Sequence, residues 1–123
     1  MTKIGVLVGS LRKGSFSRKL AENVMAMFPE GYMAEIIEIG DLPLYNQDYD
    51  DMNQVPESYV TFRQEMHAMD AFVFVTPEHN RSMPAAMKNA LDVGSRPYGD
   101  SVYDGKTGLV ISQSPSNLSG FGA

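Results

Sequence analysis

Apolar residues fall into two rhythms along this chain, one of strands and one of helices. Ile4 to Val8 is apolar apart from Gly5, which predicts a strand buried on both faces. Phe16, Leu20, Val24 and Met27 then recur at helical spacing and predict an amphipathic helix over Arg18 to Phe28, entered from Phe16. Pro29-Glu30-Gly31 ends it. Met33 to Ile39 reads as a second strand, and its Glu35 and Glu38 place it near a sheet edge. Gly40 to Val55 is rich in Asp, Asn and Pro and reads as a long loop, functional or mobile. Pro56 opens a helix on which Tyr59, Phe62, Met66 and Met69 share a face. Ala71 to Thr76 is the clearest strand, β-branched, aromatic and uncharged. Pro84 starts a helix over Ala85 to Val93 that buries Ala86, Met87, Ala90 and Leu91. Ser95 to Gly105 is turn-rich, Lys106 to Ser112 is a fourth strand, and a Ser/Gly-rich loop follows.

Strands alternating with helices predict an α/β fold, a parallel sheet with helices on both faces. Ligands of such sheets sit at the carboxyl ends of the strands, where strand order reverses. Three polar loops leave those ends, at residues 9–17, 77–83 and 112–120, and converge on one crevice.

Composition narrows the chemistry. The 123 residues suit one domain, with 43% apolar and 20% charged residues. No apolar stretch reaches the ~20 residues of a membrane span, and no signal-peptide core is present, so a cytoplasmic location without a membrane partner is expected. The chain has no cysteine, which excludes thiolate nucleophiles and Cys-based metal sites. The net charge of −5 argues against nucleic acid as a partner. Its distribution is uneven. Residues 1–19 carry Lys3, Arg12, Lys13, Arg18 and Lys19 and no acid, whereas residues 20–62 carry nine acids and no base.

The positive region coincides with Gly9-Ser10-Leu11-Arg12-Lys13-Gly14-Ser15-Phe16-Ser17, a glycine-bearing turn between a strand and a helix. The first N–H groups of a helix lack intrahelical partners and the dipole is positive there, so this order suits an anion. Ser10, Ser15 and Ser17 add hydroxyls, and Arg12 adds a planar cationic fork. The stretch reads as a phosphate cradle; the plainer alternative is a turn with a serine N-cap. Gly9 and Gly14 have the spacing of a Walker A loop, but Ser15 stands where that motif needs Lys.

The turn, together with Pro77-Glu-His-Asn-Arg-Ser-Met-Pro84, Lys88-Asn-Ala-Leu-Asp92 and Asp41-Leu-Pro-Leu-Tyr-Asn-Gln-Asp48, resembles the NAD(P)H-dependent FMN reductases. That group includes bacterial quinone, azo and chromate reductases. The resemblance implies a flavodoxin-like three-layer sandwich of strand order 2-1-3-4, with the family's fifth strand absent from these residues, as one domain over 1–123. It implies FMN as cofactor, NADPH or NADH as co-substrate, and a homodimer or tetramer. Ser10, Arg12, Ser15 and Ser17 would hold the FMN phosphate. Pro77, Glu78, His79, Asn80 and Ser82 would border the isoalloxazine ring, largely through backbone groups, and Ser114 would close its far side. The implied reaction is ping-pong: hydride passes from NAD(P)H to the flavin, then electrons pass to a quinone, azo or similar small acceptor. The cofactor carries that chemistry, so no catalytic acid or nucleophile is implied.

The chain departs from the family pattern in places. Ser17 stands where Asn is common, His79 where Tyr is common, and Arg81 where an aromatic or small residue is frequent. Family members also continue past this point with another helix, a strand and a last helix. As a whole polypeptide, this chain would expose its fourth strand as an edge. Two rival expectations remain: an FMN-binding electron-transfer module without NAD(P)H activity, and a shortened, non-catalytic fragment.

Overall fold

The computed structural model describes residues 1–123. Its elements run β1 (Thr2–Val8), α1 (Phe16–Ala26), β2 (Tyr32–Ile36), α2 (Asp48–Asp51), α3 (Glu57–His67), β3 (Ala71–Pro77), α4 (Ala85–Gly94) and β4 (Thr107–Gln113). The four strands form one sheet of order β2-β1-β3-β4. All three pairings are parallel, with Val6 opposite both Ile36 and Val73, and Val75 opposite Ile111. This is the flavodoxin-like arrangement, with β2 and β4 at the edges.

Because side chains alternate across a strand, β1 and β3 feed two cores. Ile4, Val6, Val8, Val73 and Val75 pack beneath Ala21 of α1. Leu7 and Phe72 face the other side, with Tyr59, Phe62 and Met66 of α3 and Met87, Ala90 and Val93 of α4. The central strands are therefore apolar on both faces, as their composition predicts.

The second strand, expected over Met33 to Ile39, runs from Tyr32 to Ile36, and two larger expectations are corrected. The buried stripe of α1 is Ser17 and Ala21, backed by the half-buried Leu20, Met25 and Phe28. Phe16 is 72% and Met27 77% exposed, and Val24 is half-buried. Small residues face the sheet here because the helix starts close against β3 and β4, where a large side chain would push it off. The second correction concerns residues 40–55. Rather than a loose loop, the segment contains α2 and is pinned to α3 and α4. Asp50 accepts two bonds from Arg63, at 2.9 and 3.0 Å, and Arg63 Nε donates to the Val93 carbonyl at 3.0 Å. The Tyr45 amide donates to Asn89 Oδ1, and the Tyr59 hydroxyl donates to the Pro43 carbonyl.

On α4, Met87 and Ala90 are buried as expected, while Ala86 and Leu91 are half-buried and Val93 is the third deep contact. The outer strand β4 leaves Leu109 and Val110 exposed. No helix is long and apolar enough to cross a membrane.

Candidate functional site

The three polar loops meet at the carboxyl ends of β1, β3 and β4. They enclose a crevice of about 850 Å³ that takes in Ser10, Arg12, Ser15, Pro77, Glu78, His79 and Ser114. That size lies within the range of small-molecule and cofactor sites. Gln113 and the start of α4, at Pro84, Ala85 and Ala86, complete its walls.

The first loop is open to an anion. The N–H groups of Ser10 to Gly14, and those of Phe16 and Ser17, have no acceptor within the chain. Ser15 is buried and caps α1, its Oγ accepting from the Arg18 amide at 3.2 Å. No acidic residue occupies the first turn of α1, so nothing in the helix itself neutralises the positive end of its dipole. Arg18 is drawn aside to Glu38, at 2.9 Å, which holds its guanidinium above its ordinary pKa through that hydrogen bond. Arg12 has no carboxylate partner. Gly14 turns the chain with a φ of +67°. Gly9 serves a different need: a Cβ there would lie 2.8 Å from Thr76 Oγ1, so the loop can spring from between β1 and β3 only without one.

Ser17 is placed differently from its loop neighbours. It is fully buried, and its Oγ accepts from Gln113 Nε2 at 3.2 Å, which ties α1 to the end of β4. Its side chain is thus committed, while its amide stays free.

The second loop is a tight turn. His79 and Ser82 exchange backbone hydrogen bonds at 2.7 and 3.1 Å, with Asn80 and Arg81 at positive φ of 53° and 66°. Two left-handed central residues make this a primed turn, in which Asn is favoured and Arg is not. Asn80 and Ser82 sit on the exposed turn and do not line the crevice, whereas Pro77, Glu78 and His79 do. The third loop is held by Glu78: its amide donates to the Gln113 carbonyl, and its Oε1 accepts from the Gly122 amide at 2.5 Å.

Sequence reasoning missed Gln113, which lines the crevice and bonds Ser17. It is a polar residue at the end of a strand, a signal that could have drawn attention to it. Leu11 and Phe16 also line the crevice. That position accounts for their exposure, 58% and 72%.

The family model described as NADPH-dependent FMN reductase matches residues 2–123. The chain belongs to the NADPH-dependent FMN reductase family. A quinone reductase of Pseudomonas putida is 52% identical over 120 residues, which is 98% of this chain and 64% of that protein. A 2-hydroxy-1,4-benzoquinone reductase of a Burkholderia species is 47% identical over 91% of this chain and 60% of its own length. Among solved structures, the flavoenzyme NAD(P)H:(acceptor) oxidoreductase FerB of Paracoccus denitrificans superposes on the entire chain with a TM-score of 0.91 at 36% identity, covering 66% of FerB. The chain therefore spans a little under two-thirds of the length of these family members.

Proposed function

We propose that this chain holds FMN in the crevice and forms the cofactor-binding part of an NAD(P)H-dependent reductase of quinones or similar small acceptors. The observation that carries the proposal is the run of unpartnered amides after β1, beside an unpaired Arg12, opening on a crevice of cofactor size. Ser10, Arg12 and Ser15, with the free amides of Phe16 and Ser17, would take the phosphate. Pro77, Glu78, His79 and Ser114 would border the ring system, with Asn80 and Ser82 acting through the turn that shapes that border. When bound, FMN supplies acceptance of hydride from a nicotinamide and delivery of electrons to the acceptor. The chain's own part is to grip the phosphate and set the crevice walls.

Membership of the family and the activities of its quinone reductase relatives support this reading. The dependence on reduced nicotinamide favours a cytoplasmic location. Association into a homodimer or tetramer is part of the same proposal and rests on the family resemblance alone. The test is an absorbance spectrum of the purified protein after incubation with FMN, then NADPH or NADH added without oxygen. Retained flavin bands that bleach on addition support the reading. Flavin that is retained but not bleached would favour an electron-transfer module. Failure to distinguish FMN from riboflavin would overturn the phosphate cradle.

A further inference from the structure

Three close approaches at the carboxyl end of the sheet share one feature, and the last of them joins two loops: each occurs where a glycine lets another segment approach its Cα. A Cβ on Gly9 would crowd Thr76. One on Gly120 would strike Ser112, and one on Gly122 would lie 2.5 Å from Glu78 Oε1 and 2.9 Å from the Arg81 carbonyl oxygen. Gly120 and Gly122 do not have positive φ, so space rather than backbone conformation calls for glycine at both. At Gly122 that closeness is used, because its amide donates directly to the Glu78 carboxylate. The other end of Glu78 is fixed too, its amide bonded to Gln113 at the end of β4.

We propose that Glu78 is a positioning residue whose carboxylate latches residues 114–122 against the 77–83 turn and so fixes the third wall of the crevice. Its side chain acts on the neighbouring loop and not on the ligand. The consequence for FMN rests on the proposed function; the latch itself does not. A carboxylate accepting from a backbone amide is one of the stronger hydrogen bonds. Few others hold this segment: Ser116 and Ser119 bond within it, and the Phe121 and Ala123 amides reach only Leu118 and Gly120. Glu78 is therefore its one side-chain tie to the second loop.

The experiment compares wild type, Glu78→Ala, Glu78→Gln and Gly122→Ala, first without cofactor. In Glu78→Ala, amide hydrogen exchange at Gly122 should quicken about tenfold or more, the scale of losing one hydrogen bond to a charged acceptor. Glu78→Gln keeps an oxygen able to accept the same N–H, so it should restore protection to within about threefold of wild type, a smaller loss than removing the acceptor. Gly122→Ala should behave like Glu78→Ala from the opposite side of the contact. FMN affinity, read from quenching of flavin fluorescence, should weaken in the order of exchange rates. Unchanged exchange in Glu78→Ala would overturn the latch. Faster exchange with unchanged FMN affinity would overturn its role as a wall. A wild type that takes up no FMN would count against the proposed function, and the exchange measurements would still decide the latch.

Discussion

Arg12 and Ser17 show how far single residues of the cradle can be read. The sequence pattern marks both, and for Arg12 the structure adds what matters: no carboxylate neutralises it. Arg12→Ala should weaken FMN about tenfold or more, in line with losing a hydrogen bond to a charged group. It should leave riboflavin, which lacks the phosphate, nearly unaffected. Equilibrium titration with both flavins checks this, and equal losses would place Arg12 elsewhere in the site. Ser17 was legible as polar but not as buried, because its partner Gln113 lies 96 residues away in sequence. Gly9 was legible as a turn residue for the wrong reason. Its role is to admit Thr76, so Gly9→Ala should cost about 1–3 kcal/mol, the range for forcing a methyl group into packed space. Urea unfolding would measure it.

Among elements, strands were the most legible and the 40–55 segment the least. The apolar runs of β1 and β3 identify themselves because both faces are buried. Residues 40–55 look like a loop because polar residues dominate, and what orders them is a set of contacts to α3 and α4 distant in sequence, among them one ion pair. Arg63 and Asp50 keep only 12% and 11% of their side-chain surface exposed. The hydrogen bond from Arg63 holds the Asp50 carboxyl below its ordinary pKa, outweighing its burial. The sign follows from linkage: the folded state binds this proton less readily than the unfolded state. The pair's stabilisation is therefore present above the ordinary carboxylate range and is lost as pH falls through the depressed value. Tyr45, whose hydroxyl bonds Asp50, and Tyr49 sit on the same segment, so near-ultraviolet tyrosine circular dichroism should report its release in acid. Asp50→Asn should remove that acid step and cost about 3 kcal/mol at neutral pH, the low end for leaving a buried cation unpaired. The stripe of α1 was misread for a related reason. Helical spacing of large apolar residues marks a candidate face, but Ser17 and Ala21 win the sheet because they are small where the helix meets it closely.

For the whole molecule, the convergence of three loops follows from topology, and topology followed from the order of elements. Alternating strands and helices leave a parallel sheet, and a parallel sheet puts every strand-to-helix loop at one end. The contacts that fit those loops together were not legible, since Gly122 and Glu78 are 44 residues apart and nothing local to either announces the other. This division sets the last expectation. If the crevice is preformed by such contacts, FMN binds a folded site without ordering new structure, and its binding energy adds to stability by mass action alone. At a free concentration of 100 times its dissociation constant, a ligand bound only by the folded state contributes about 2.7 kcal/mol. For a chain of this size that corresponds to a rise in Tm of about 10 °C. Thermal unfolding at graded FMN should follow that logarithmic law, while riboflavin at matched concentrations should raise Tm much less. A rise that saturates far below the law would mean that the unfolded chain also binds flavin. A rise equal for both flavins would mean that the ring, and not the phosphate held beyond β1, carries the binding.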